Sequence, residues 1–288
     1  MAESASARSI RFLAGAVSRL FVVVLGVLPL PWARLLGRCF GHAAYWCVPR
    51  IRRVGLSNLD LALGDALSRA EKLRIVRGAA KNMGIVAAEF GHLPRLYRDG
   101  FDRHVRIEGA EHLDKSSGVL FVGAHFGNWE WMPAGFQHLG YEVAVVYRPL
   151  DDPALDKFIA RKRGAGGVMP IPKSYAGPEL VRRLREGWAV GILVDQSPRV
   201  HAVPITFFGK RTWATAAPVL LAMRARVPIH PSYLVRRPSG DYTMVIGRRI
   251  ELARSGNTRA DLLENTQRCH AALEVNIREH PDQWLWFH

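Results

Sequence analysis

Cysteine is scarce in this chain: Cys39, Cys47 and Cys269 are the only three in 288 residues. None stands in a C-x-x-C pair, so no disulfide framework is built in, and the thiols read as free and reduced, facing a cytosolic compartment. Acidic residues are scarce near the N-terminus. Residues 1–55 hold Arg8, Arg11, Arg19, Arg34, Arg38, Arg50, Arg52 and Arg53 against a single acid, Glu3. A long apolar run is missing too. LFVVVLGVLPLPWA (20–33) lasts 14 residues without a charge, where a spanning helix needs about 20. No small-x-small site follows it, which argues against a cleaved signal peptide, and apolar character resumes in CFGHAAYWCV (39–48). Other absences narrow the chemistry. There is no G-x-S-x-G elbow, no H-E-x-x-H helix, no Walker loop and no complete G-x-G-x-x-G. Serine-nucleophile, zinc-hydrolase and nucleotide-binding readings therefore lack their required parts. GAGG (164–167) reads as a loop.

What is present is enough apolar material for a sizeable core: 49% of the residues are hydrophobic. The formal net charge of +15 favours partners that carry negative charge, whether anionic lipid, nucleic acid or an acidic carrier. The basic residues concentrate beside apolar segments rather than in an aromatic-rich groove, which argues against nucleic acid. Residues 1–55 are expected to form a membrane-associating helical segment, apolar faces in the interface and arginines on headgroups. A tilted single span and a buried core helix are the alternatives. Arg19 next to the run speaks against the span.

Residues 56–288 read as one domain. Ser68 and Glu71 fit a capping box, and Leu73, Val76, Ala80, Met83, Ala87 and Phe90 then recur at helical spacing, a core stripe rather than a site. From about residue 105 the pattern turns to α/β alternation. Strands are expected at 118–124, 142–147, 167–171, 188–194, 227–235 and 241–247. Helices are expected at 152–163, 177–187, 215–226 and 257–280. Strands alternating with helices imply an α/β fold with a mixed, largely parallel central sheet flanked by helices.

One stretch carries chemistry. GAHFGNWEW (123–131) puts His125 at the carboxyl end of a buried strand, the place where open α/β sheets bind ligands. Gly127 and Asn128 permit a tight turn, Asn128 can cap a helix, and Trp129 and Glu130 would open that helix. The turn would fold Glu130 back to the imidazole. A carboxylate on one ring nitrogen fixes the tautomer and raises the basicity of the other. The result is a general base for a hydroxyl, with a substrate alcohol in the role of the serine of a triad. A His and a Glu five apart also occur by chance, and a buried turn with polar decoration is the plain alternative.

GAHFGNWE resembles the H-x-x-x-x-E/D motif of the bacterial lysophospholipid-type acyltransferases, and within them the lipid A biosynthesis (late, lauroyl/myristoyl-type) acyltransferases. Phosphatidylinositol mannoside acyltransferases are related. The resemblance runs over almost the whole chain, in SNLDLAL (57–63), YRPLDDPALDKFIARKRGAGG (147–167), GWAVGILVDQ (187–196), ITFFGKRTWATAAPVLLAMRARVPIHPSYLVRR (205–237) and IREHPDQWLWFH (277–288). Family members run on past this last signature with further basic residues. This sequence stops at His288, so either the tail is short or the chain is a trimmed form.

The resemblance implies a membrane-associated O-acyltransferase on the cytoplasmic face of a bacterial inner membrane. His125 would be the base and Glu130 its orienting acid. An acyl thioester, on acyl carrier protein or CoA, would be the co-substrate, with no metal and no other cofactor. A glycolipid hydroxyl would accept, most simply on a lipid A precursor. A phosphatidylinositol mannoside, lysophospholipid or aminolipid is the alternative, and a non-catalytic membrane adaptor the rival of another class. In the family's second block an arginine contacts the reacting oxygen or a phosphate. Arg163 is favoured here, then Arg148 and Arg161, for which a solvated basic face is the plain reading. Asp195 and Gln196 follow a buried strand and are expected to position an arginine or a sugar hydroxyl. Asn128 is counted with the substrate-binding residues. FFG (207–209) would wall the site. The start of the helix at TAAP (215–218) would attract a phosphate or simply cap a core helix. Arg182, Arg183 and Arg185 on one helix, or Lys157, Arg161 and Lys162 on another, would receive an acidic carrier. Anionic inner-membrane lipid is the further partner, and the oligomeric state stays open.

Overall fold

The computed structural model describes residues 5–173, 176–198 and 202–287. Prolines punctuate the N-terminal helices α1 (Ala5–Val27), α2 (Leu30–Cys47) and α3 (Pro49–Leu63). Proline stands in the first turn of the second and third, where its fixed φ fits and its missing N–H costs nothing. Residue 55, expected to end the N-terminal segment, lies inside α3. Helix α4 (Arg69–Phe90) opens on the expected capping box: Glu71 N donates to Ser68 Oγ at 3.3 Å, and Ser68 N donates to Glu71 Oε2 at 2.8 Å. Helices α2 and α4 cross closely through glycine. A methyl on Gly37 or Gly84 would collide with the other's carbonyl, and one on Gly41 with that of Ala80.

Two short helices, α5 (Leu93–Arg95) and α6 (Phe101–His104), lead into the sheet region. There follow β1 (Val105–Glu108), β2 (Val119–Gly123), α7 (Met132–His138), β3 (Val143–Tyr147), α8 (Pro153–Arg163), β4 (Met169–Pro172), α9 (Ala176–Arg185) and β5 (Ala189–Leu193). After them come β6 (Ala202–Phe207), β7 (Lys210–Thr215), α10 (Ala217–Ala225), β8 (Ile229–Arg236), β9 (Tyr242–Ile246) and α11 (Thr258–Glu279). The seven-stranded sheet has the order β1-β9-β8-β2-β5-β3-β4. Only β8 and β9 pair antiparallel; the other neighbours are parallel. This is the expected α/β architecture.

β2 is buried along its whole length, as a central parallel strand must be. Its side chains alternate between two cores. Leu120 and Val122 join α3, α4, α9, α10 and α11. Val119 and Phe121 join the far end of α4, the short helices and α7. Three strands lie outside the expected ones. β1 is only four residues long, and β6 with β7 forms a separate antiparallel hairpin. The hairpin turns at Phe208 and Gly209, both at positive φ, the signature of a two-residue turn matched to strand twist. Among the described residues no helix is long and apolar enough to cross a membrane.

Candidate active site

β2 and β5 run side by side with Gly123 opposite Leu193, and Val194 N donates to Gly123 O at 3.0 Å. Both chains leave the sheet at the same edge, so the residues next in line meet. His125 N donates to Asp195 Oδ2 at 2.9 Å, and His125 Nδ1–H donates to Asp195 Oδ1 at 2.8 Å. Trp284 Nε1, from the C-terminal signature, donates to Asp195 Oδ2 at 2.9 Å. The Asp195 side chain is fully buried and that of His125 is 19% exposed. A carboxylate accepts only, so the contact fixes the proton on Nδ1 and leaves Nε2 as the basic nitrogen. Burial works against protonation of His125, but the Asp195 hydrogen bond and charge, helped by the charge of Glu130, outweigh it and raise its pKa.

The turn itself is clamped by backbone. Phe126 bridges Trp284, Gly127 N donates to Gln283 O at 2.9 Å, and Leu285 N donates to His125 O at 3.1 Å. Gly127 has φ +57°, and any Cβ there would strike the carbonyl of Leu234 on β8. Only glycine lets the turn lie against the sheet.

Glu130 sits elsewhere than expected. Trp129 and Glu130 stay in the turn, and α7 begins at Met132. The turn directs Glu130 to Arg163, the last residue of α8. Arg163 Nε donates to Oε2 at 2.9 Å and Nη2 to Oε1 at 2.6 Å, a bidentate pair. Burial raises the carboxyl, but the charge and hydrogen bonds of Arg163 overcome it and leave Glu130 below its ordinary value. The carboxylate that holds the imidazole is therefore Asp195, and Glu130 holds a cation next to it. The guanidinium lies over the rings of Phe90 and Tyr147, 5.9 Å from each centroid.

The other expected site residues divide. Arg148 is exposed and pairs with Asp151 at 3.2 Å, while Arg161 and Gln196 are exposed. Asn128 neither caps a helix nor faces a cleft: it is fully buried, and Trp131 takes the cap position without a side-chain bond. Phe208 does stand near the site, stacked on Trp284 at 6.0 Å. At TAAP, the Ala217 amide is satisfied by Thr215 Oγ1 at 3.2 Å.

A family model for bacterial lipid A biosynthesis acyltransferases matches residues 6–288. The chain belongs to that family. It is an acyltransferase of lipid biosynthesis, and the family's reaction is acyl transfer to a lipid. Among solved structures the acyltransferase is similar to the 1-acyl-sn-glycerophosphate (LPA) acyltransferase PlsC from Thermotoga maritima. Identity is 13%, the match covers 87% of this chain and 99% of that one, and the TM-score is 0.39. No curated protein matches.

The acyltransferase also holds a charged cluster that the sequence reading passed over. Glu89 on α4 is fully buried. It accepts from Arg34 Nε (2.6 Å), Arg236 Nη1 and Nη2 (3.1 and 3.2 Å), Tyr242 Oη (2.5 Å) and Asn128 Nδ2 (2.7 Å). Burial opposes its ionisation; the Arg236 and Arg34 charges outweigh this and hold its pKa below the usual carboxylate range. Asn82, also on α4, accepts from Arg236 Nε at 3.0 Å and donates to Gly127 O at 2.9 Å. A signal existed: Ile75, Ala79, Asn82, Val86 and Glu89 lie on one buried helical phase, and polar residues inside such a stripe call for partners.

Proposed function

We propose that this acyltransferase moves a fatty acyl chain from a thioester to a lipid hydroxyl, with His125 as general base oriented by Asp195. The observation that carries the reading is the His125–Asp195 pair at the carboxyl edge of adjacent parallel strands. Nε2 takes the proton of the acceptor hydroxyl as its oxygen attacks the thioester carbon. The imidazolium so formed is stabilised by the buried Asp195 carboxylate. The tetrahedral intermediate carries its charge on the former carbonyl oxygen. Arg163, locked by Glu130, supplies a cation placed in advance for that oxygen or for an acceptor phosphate. Collapse breaks the carbon–sulfur bond, and the leaving thiolate takes the proton from His125. An ester and a free thiol result.

The acceptor we favour is a phosphorylated glycolipid of the lipid A type, in keeping with the family. For the donor, either an acyl carrier protein or CoA brings negative charge. Support for docking near α8 rather than α9 comes from the ion pairs. Arg182 and Arg183 are engaged by Glu179 and Glu186, and Arg185 donates to the Arg224 carbonyl. Lys157 and Arg161 lie exposed on α8, whose last residue is Arg163. Membrane association is part of the same proposal. Leu20 (64% exposed), Val24, Val27, Trp32 (60%), Leu36 and Phe40 form outward apolar rows on α1 and α2, with Arg38, Arg50 and Arg53 exposed alongside. Such a face suits the interface of an anionic bilayer.

The deciding experiment offers dodecanoyl thioesters of acyl carrier protein and of CoA to the purified full chain. Acceptors are vesicles carrying a lipid A precursor, a phosphatidylinositol mannoside or a lysophospholipid, and products are read by mass. A gain of one dodecanoyl ester on the lipid A precursor, lost in His125→Ala, is expected. Transfer that survives in His125→Ala overturns the assignment.

A further inference from the structure

Two residues of α4 anchor the turn between His125 and Glu130: Asn82, whose side chain donates to the Gly127 carbonyl at 2.9 Å, and the buried Glu89, which holds its middle and its end. Asn128, at its middle, donates to Glu89 Oε2 at 2.7 Å, and Trp131 Nε1, at its end, donates to the Glu89 carbonyl at 3.3 Å. The same carboxylate is held from three other elements: by Arg34 of α2, by Arg236 of β8 and by Tyr242 of β9. A charged cluster like this is not what stability alone selects. Buried ion pairs replaced by packed apolar groups often leave a fold as stable or more so. What two guanidinium groups, a hydroxyl and an amide around one carboxylate do provide is a fixed direction for each.

We propose that Glu89 is a positioning residue for acyl transfer, acting through Asn128 to fix the turn and so the spacing between His125 and the Glu130–Arg163 pair. The proposal rests on the functional reading above. It assigns Asn128 a job that burial allows: the residue touches no substrate and transmits the place of Glu89 to the residues that do. Arg34 adds a second consequence. It faces inward from α2, the helix whose outward face bears Trp32, Leu36 and Phe40, so that helix and the turn share one anchor.

The test compares Asn128→Ala with Tyr242→Phe in the full chain, using a dodecanoyl thioester and the best acceptor of the panel above. Each change removes one hydrogen-bond donor from Glu89 Oε2, and phenylalanine keeps the ring packed on Trp131, 5.5 Å away. Only the first releases the turn. Asn128→Ala is expected to lower kcat by about tenfold or more with each KM within about threefold, whereas Tyr242→Phe keeps kcat within about twofold while its Tm falls at least as far. Glu89→Gln should lower kcat like Asn128→Ala, and the double variant should be no slower than Glu89→Gln alone, because both act on one path. If Glu89→Gln does not fold, the Asn128 and Tyr242 variants decide. Wild-type kcat in Asn128→Ala, or kcat losses that follow Tm in both variants, overturn the positioning role and leave the functional reading standing. Absence of transfer by the unaltered chain overturns the functional reading, and the positioning role with it.

Discussion

The two sides of the candidate site each present a buried carboxylate, and the two are put to different use. Asp195 accepts from a backbone N–H, an imidazole N–H and an indole N–H. Its hydrogen bond and negative charge raise the pKa of the imidazole, which can answer by gaining a proton. Glu130 is met by a guanidinium that is already charged. Its charge mainly holds Arg163 and adds a smaller pull on the His125 proton. One carboxylate chiefly sets the state of an imidazole, and the other chiefly fixes a cation. What separates them is the partner's chemistry, not the acid.

This contrast can be broken in graded steps. The largest loss is expected from His125→Ala, which should take transfer to background with the circular dichroism spectrum unchanged. Next is Asp195→Asn. The amide can turn an N–H toward Nδ1 and favour the wrong tautomer, so kcat should fall roughly 10³–10⁴-fold, the scale seen when a histidine loses its orienting carboxylate. Glu130→Gln should cost less, about 10²-fold in kcat, because it lets Arg163 drift rather than removing the base. It carries a stability signature as well. The pKa of Glu130 is depressed in the fold, so its stabilisation is present above the ordinary carboxylate range and is lost as pH falls through the lowered value. Tm measured against pH should accordingly fall less steeply on the acid side in Glu130→Gln than in the unaltered chain. The smallest effect belongs to Arg148→Ala, with kcat within about twofold, since an exposed pair with Asp151 contributes little. Away from the site, Leu20→Asp combined with Trp32→Asp should reduce sedimentation with anionic vesicles; unchanged binding would show that α1 and α2 are not the docking face.

The contrast also marks where sequence was legible. The strands of the parallel sheet are continuous apolar runs bounded by turn residues, and β2, β3 and β5 could be read from that alone. The capping box of α4 and the ends of α8 and α11 were equally local signals. Asp195 as the partner of His125 was not local. Residues 125 and 195 meet only because β5 lies beside β2, and strand order is set by packing across the whole sheet. Sequence proximity pointed instead to Glu130, five residues along, which the positive-φ turn at Gly127 directs to α8. β1 was too short to show a period, and the β6–β7 hairpin turns on Phe208, a residue type seldom found at positive φ. Glu89 lies on another row of α4, with Ile75, Ala79, Asn82 and Val86, about a third of a turn from the apolar row Leu73–Val76–Ala80–Met83–Ala87–Phe90, so the period that marks the helix does not point to the carboxylate.

The central claim, that Asp195 rather than Glu130 sets the basicity of His125, is tested most directly by titrating the His125 ring. Nitrogen-15 NMR of the labelled full chain can follow it in the unaltered protein, in Asp195→Asn and in Glu130→Gln. The midpoint should lie above that of an ordinary histidine in the unaltered chain. It should drop furthest in Asp195→Asn, which removes both the hydrogen bond and the nearest charge, and less in Glu130→Gln, which removes a charge alone. A drop in Glu130→Gln equal to or larger than that in Asp195→Asn would contradict the account.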